Sequence, residues 1–201
     1  DIGTDSDRAL LLDFQATLEI KPEKAIKLEK DALAQIENIT ADNARLVSNL
    51  HANLGGLYRM NGHPDLAREH MEKSISLLDQ FNLLHINDSI PQIANYAMFL
   101  TEQQEPERGI SELQKLSGII KEYHSDDCLD YAKVQETLGT IYLMTANLPQ
   151  AKTHFKRAFK IYEKIWADEP EMIEAKYQEI QELYPQIGFC IGKNLSGLLT
   201  K

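Results

Sequence analysis

The side chains able to make and break bonds are few and poorly grouped. Six histidines, His51, His63, His70, His85, His124 and His154, are scattered along the chain. His63 and His70 lie on either side of an expected helix start, with no third ligand at the spacing a zinc site needs. Cys128 and Cys190 are far apart, with no Cys-x-x-Cys pattern and no histidine at partner spacing. They read as two reduced, mostly buried thiols of a cytoplasmic protein, a structural disulfide being the alternative. Asp126-Asp127 and Asp168-Glu169 fall between expected helix pairs, where capping accounts for them better than acid–base catalysis does. No Gly-rich phosphate loop, His-Glu-x-x-His or Gly-x-Ser-x-Gly elbow occurs. No enzymatic activity is expected, and no cofactor or metal is implied. What remains is the chemistry of recognition.

Bulk properties narrow the partner. The 201 residues are 43% hydrophobic and 26% charged, which suits one domain or a short repeat array. A formal net charge of −10 opposes nucleic acid, whose phosphates need a basic footprint, and opposes an anionic membrane surface. It mildly favours partners that carry positive charge. No apolar run of about 18 residues is present, so no membrane span is expected. The start, Asp1-Ile2-Gly3-Thr4-Asp5, has neither an initiator Met nor a signal-peptide pattern and reads as the boundary of a larger protein or as a processed end.

The elements that position the polar side chains come from an internal repeat. Pro22, Pro64 and Pro106 are each 42 residues apart, and each opens a similar phrase, with a fourth copy shifted by one at Leu148-Pro149-Gln150-Ala151. Small residues recur at Ala25, Ala67, Gly109 and Ala151. Proline at a first helical position gives up no needed hydrogen bond, and an acid beside it, as at Glu23, Asp65 and Glu107, complements the helix dipole. Apolar positions then step by four and three: Ala67, Met71, Ser74, Leu78 and Phe81 in the second copy, Ala151, Phe155, Ala158, Tyr162 and Ile165 in the fourth. These are single faces of amphipathic helices, with Glu29 the misfit of the first copy. A preceding helix carries Leu54-Gly55-Gly56-Leu57-Tyr58, matched by Leu138-Gly139-Thr140-Ile141-Tyr142 two periods on. Gly55, Ala97 and Gly139 are small where two backbones must approach, and Tyr58, Leu100 and Tyr142 fill the space beside Ala67, Gly109 and Ala151. Helices are expected near 6–19, 22–38, 43–61, 64–82, 89–103, 106–124, 129–146, 148–167 and 170–184.

The phrase Leu-Gly-x-x-Tyr, then Ala nine residues on, then Phe or Met four further and a small residue three beyond, resembles the tetratricopeptide repeat. The period exceeds the common unit by about two helical turns, and such long units look like those of kinesin light chains and of bacterial signalling proteins. The resemblance implies an all-α, right-handed superhelical solenoid of antiparallel helix pairs. One domain over 1–201 is expected, with repeats at 6–42, 43–88, 89–128 and 129–169 and a C-terminal cap at 170–201. Within that cap Ile187, Phe189, Ile191, Leu195, Leu198 and Leu199 suit a terminal hydrophobic cover. Docking onto a missing continuation, or onto a second copy as a homodimer, is the alternative.

In such a solenoid the first helix of each pair lines the inner wall. The position before the Leu-Gly pair holds Asn53, Asn95, Thr137 and Glu179, all 42 apart. An Asn ladder offers donors and acceptors to an extended peptide backbone. By resemblance to kinesin light chains and bacterial peptide-pheromone receptors, Asn53 and Asn95 carry that contact; Thr137 and Glu179 depart from it. Bonding to adjacent helices or water is the alternative role. Asn49, Arg59, Met98 and Lys133 fall on the same faces, as do Gly56, Met60, Glu102, Thr140 and Met144. Gly56 would leave room for a ligand, the methionines would offer adaptable apolar contact, and Arg59 and Lys133 could hold a carboxylate. The Lys and Asn clamp of chaperone-tail adaptors is not reproduced. The expected function is a scaffold for a protein or extended peptide within a larger bacterial protein. A peptide-sensing domain of a transcriptional or signalling regulator is the second reading.

Overall fold

The computed structural model describes residues 3–183. Among them the chain is helical throughout, without strands, in the order α1 (Asp5–Leu18), α2 (Pro22–Leu33), α3 (Ala44–Met60), α4 (Pro64–Gln80), α5 (Ser89–Glu102), α6 (Pro106–Tyr123), α7 (Leu129–Met144), α8 (Leu148–Ile165) and α9 (Pro170–Leu183). The expected apolar cover over 186–199, and Cys190, lie outside the described residues. The chain divides into two compact units, Asp1–Phe99 and Leu100–Lys201.

The 42-residue punctuation has a backbone origin. Gly62, Gln104 and Ala146, each one period apart, take left-handed conformations with φ of 77°, 66° and 58°. Each left-handed residue is followed by a long backbone bond into the last turn: His63 to Tyr58 O, Glu105 to Leu100 O and Asn147 to Tyr142 O, at 2.9, 2.8 and 2.7 Å. These are Schellman closures, which satisfy helix-end carbonyls and reverse the chain. Proline then stands at the first or second position of α4, α6 and α8. The one clear departure from expectation is α2, which stops at Leu33 rather than near 38. Beyond it Asn43 donates to Asn38 O and accepts from the Thr40 N–H, so the side chains of this Asn- and Thr-rich stretch close a loop in place of another helical turn.

In the N-terminal unit α1 pairs with α2 and α3 with α4, and α2 packs on α3. Ala9, Ala32 and Leu50 are fully buried, with Leu12, Leu33, Ile36 and Leu46 around them. The α3–α4 approach is as close as its glycine implies: a Cβ on Gly55 would lie 2.6 Å from Met71 Cγ and 3.3 Å from Ala67 O. In the C-terminal unit α7 pairs with α8, and a Cβ on Gly139 would meet the Phe155 ring at 2.9 Å. Tyr162 stacks on Trp166 and donates to Glu136, which also binds Lys176 at 3.0 Å. The N-cap of α7 is the Cys128 thiol, which accepts from the Tyr131 N–H, and not Asp126 or Asp127.

Candidate functional site

Within the N-terminal unit, α3, α4 and α5 enclose a cleft of about 230 Å³ lined by Gly56, Arg59, Met60, Ser74, Gln92 and Asn95, among others. Its opening is a consequence of one residue. The register that holds Gly56 holds Phe14, Met98 and Thr140 in the other copies. A Cβ at Gly56 would meet nothing within 4 Å, so helix packing does not require the glycine. Only the gap uses it.

The cleft floor belongs to a polar thread through the core. Ser48 Oγ and Ser74 Oγ both donate to Gln92 Oε1, the former at 2.8 Å. Gln92 Nε2 donates to Asn49 Oδ1 at 2.6 Å, and Asn49 Nδ2 reaches Asp88 at 3.4 Å. Asp88 also accepts from Arg45 Nε at 2.6 Å, and that bond holds its carboxyl below the usual carboxylate range. Ser48 and Ser74 are buried, so these hydroxyls would be costly without partners. In the third and fourth copies the registers of Ser48 and Ser74 hold apolar residues, Ile90 and Ala132, and Leu116 and Ala158, and the neighbouring copies of Gln92 are Leu50 and Val134. Sequence reasoning missed this thread, although the broken periodicity was its signal. Asn49, expected to contact ligand, is part of it.

The two Asn positions expected to act alike do not. Asn95 is exposed at the cleft mouth, and its side chain makes no hydrogen bond to another described residue. Asn53 is tied down: its amide donates to Asp13 Oδ1 at 2.9 Å and to Glu29 Oε1 at 3.1 Å. Glu29, the misfit acid, is 2% exposed, and its Oε2 has no partner. Burial, and then the Asp13 carboxylate beside it, push the Glu29 carboxyl up to about 8, against the opposing hydrogen bond from Asn53. At Asn53 the structure therefore displays the helix-to-helix bonding weighed as the alternative for the ladder.

Met60 is exposed at 81% near Arg59 at the same cleft, and Met98 is half-buried on α5. In the C-terminal unit Thr137 donates to the Lys133 carbonyl one turn back, and Lys133 Nζ lies 3.7 Å from Asp130. On the α3–α4 flank, His51 Nδ1 and His70 Nδ1 share a proton contact at 2.9 Å, and His70 stacks on Tyr58. The C-terminal unit repeats the device two periods on, with Gln135 bonded to His154 at 2.9 Å and His154 stacked on Tyr142. Burial, and then the neighbouring His70, depress His51 to about 4. No group of three or more metal-ligating side chains occurs among the described residues.

Residues 89–164 match the family model described as tetratricopeptide repeat. Among solved structures, BtubC (BKLC) from P. vanneervenii is similar with a TM-score of 0.70 at 19% identity, over 90% of this chain and 72% of that one. The Podosopora anserina putative kinesin light chain nearly identical TPR-like repeats align with a TM-score of 0.64 at 14% identity, over 80% and 76% of the two chains. No curated protein sequence matches the chain. No helix of the described residues is long and apolar enough to cross a membrane. Residues 89–164 thus carry tetratricopeptide repeats, the chain as a whole shares the fold of such repeat proteins, and tetratricopeptide repeats serve in general as scaffolds for protein interaction.

Proposed function

We propose that this chain is a non-catalytic scaffold that holds an extended segment of a partner protein along α3 and α5, with the Gly56 cleft as the principal contact. The observation that carries this reading is the pairing of an unneeded gap with an unused amide. Gly56 clears space that packing does not demand, and Asn95 presents a donor and an acceptor at its mouth without a partner among the described residues. An exposed amide beside an apolar wall suits a peptide backbone, which carries one donor and one acceptor per residue. Met60 adds adaptable apolar surface. Asn53 and Met98 extend the same reading as secondary contacts, Asn53 through the carbonyl its bonds leave open, and Lys133 and Thr137 offer contacts on the C-terminal unit by itself. We place the scaffold in the cytoplasm, as part of a larger bacterial protein; the free, half-buried thiol of Cys128 supports the compartment.

The test is selection of peptides from a displayed random library on the full chain, followed by affinity measurements on two variants. Gly56→Phe installs the residue that α1 carries at this register, and Asn95→Ala removes the amide. Both sites are open, so both variants should melt as the parent does. Loss of Asn95 should weaken selected peptides by roughly three- to tenfold, the worth of one or two hydrogen bonds. Gly56→Phe should abolish their binding. Peptides that bind both variants as tightly as the parent would place the contact elsewhere.

A further inference from the structure

The C-terminal unit carries a second surface whose charge opposes that of the chain. Lys156, Lys160 and Lys164 follow each other at intervals of four along α8, so they form one stripe, and Arg157 adjoins it. With Lys121 at the end of α6 they wall a cleft of about 600 Å³, floored by the buried Tyr131 ring and Ile161. Lys121 stands over that ring, its Nζ 5.2 Å from the centroid. Asp126 and Asp127 sit at one edge, and Asp127 pairs with Lys164. Lys156, Arg157 and Lys160 form no hydrogen bond or ion pair among the described residues. Like charges four apart weaken a helix by a few tenths of a kcal/mol per pair. Lys164 suits the C-terminal end of the helix dipole, but the stability of α8 gives no reason for Lys156 and Arg157.

We infer that this α8 cleft is a docking surface for an acidic, carboxylate-rich segment of a partner protein, separate from the Gly56 cleft. The chain itself shows the chemistry. A carboxylate from the loop before α7 already rests on Lys164, so the wall accepts carboxylates at contact distance. Lys156 and Arg157 stand without an acidic partner among the described residues along the same wall, and Lys160 shares only the field of Asp127. The two aspartates at the edge disfavour a continuous polyphosphate, whereas a peptide can leave those positions uncharged. The global charge governs approach from a distance. Inside a Debye length of about 10 Å the local cations decide.

The experiment measures fluorescence anisotropy of a labelled oligo-glutamate peptide on the full chain at low and moderate salt. Saturable binding that weakens with salt is expected. The Lys156→Glu, Arg157→Glu, Lys160→Glu triple variant should lose roughly tenfold or more in affinity, from three exposed pairs at about 0.5 kcal/mol each. Because these positions are exposed, its thermal melt should match the parent. A Lys156→Gln, Arg157→Gln, Lys160→Gln variant keeps the test decisive if charge reversal disturbs folding. Asn95→Ala should leave oligo-glutamate binding intact, which separates this surface from the groove. The inference is overturned by absence of saturable binding or by equal binding to the triple variants. It is equally overturned if single-stranded oligonucleotide or phosphatidylserine vesicles bind tighter through the same residues, or if the chain self-associates through them.

Discussion

Replacing Glu29 by Gln should stabilise the protein at alkaline pH and leave it unchanged at acid pH. Glu29 lies between α1 and α3, 2% exposed, with Oε2 unpartnered and Asp13 beside it. Its carboxyl ionises near 8 in the folded chain against an ordinary 4.5. The folded state therefore holds a proton that the unfolded chain has released throughout that interval. Stability from this group is complete below 4.5 and is lost as pH rises through about 8. The full interval corresponds to about 4 kcal/mol at pH 8. Asp13 is only half-buried, and water at its side relaxes the pair, which brings the expected loss to about 1–3 kcal/mol. Gln keeps the carbonyl that accepts from Asn53 and gives Asp13 a permanent donor, so the hydrogen bonds survive while the titration disappears. The assay is a pair of urea titrations followed by circular dichroism at pH 5 and pH 8, with parent and variant compared at each. The difference between the two proteins isolates Glu29 from every other titrating group. A gain of about 1–3 kcal/mol at pH 8 and little at pH 5 is expected. An equal effect at both pH values, or a less stable variant at pH 8, would refute the reasoning.

Two other outcomes follow from the structure. Ala146→Gly should raise stability by about 0.5–1 kcal/mol, because Ala146 sits at φ 58°, where a Cβ is penalised and where Gly62 serves two registers earlier; a lower midpoint in urea would contradict the turn geometry. His51 and His70 are both held below the ordinary histidine range, so the folded state resists protonation and stability falls as pH drops from 6.5 toward about 4. His51→Gln copies the Gln135–His154 pair and should recover about 1 kcal/mol near pH 5, with the His51 imidazole resonance of the parent titrating near 4 as the direct check.

The fold was legible because its signals are local and recur. Proline starts, small residues at close approaches and stepped apolar faces located nearly every helix to within a residue or two, and Gly55 sits where two backbones do approach, whereas Gly139 makes room for the Phe155 ring. The end of α2 was less legible because the apolar spacing continues through Ile36 and Ile39 while the Asn43 side chain diverts the backbone. The site was read in part. Gly56, Arg59, Met60 and Asn95 share one cleft, since they occupy neighbouring positions of two helices whose register the repeat fixes. Asn53 could not be told from Asn95 by type or spacing. What separates them is an acid 24 residues upstream of Asn53, a tertiary neighbour that periodicity marked as odd but could not pair. The α8 cations escaped notice because a whole-chain charge hides a local excess of the opposite sign.

The thread from Ser48 through Gln92 to Arg45 has a consequence for how the chain finds its own order. Helix pairs built on one repeat pattern resemble each other in their apolar faces, and repeat arrays are prone to misassembly and swapping for that reason. Were α7 to take the place of α5 against α3 and α4, Val134 would replace Gln92 opposite Ser48 and Ser74. Both hydroxyls would lose the Gln92 acceptor and keep only each other and the Ser74 carbonyl at 3.2 Å, at a cost of about 1 kcal/mol. The polar thread thus acts as an address: it adds little to the strength of the core and marks which helix belongs beside which.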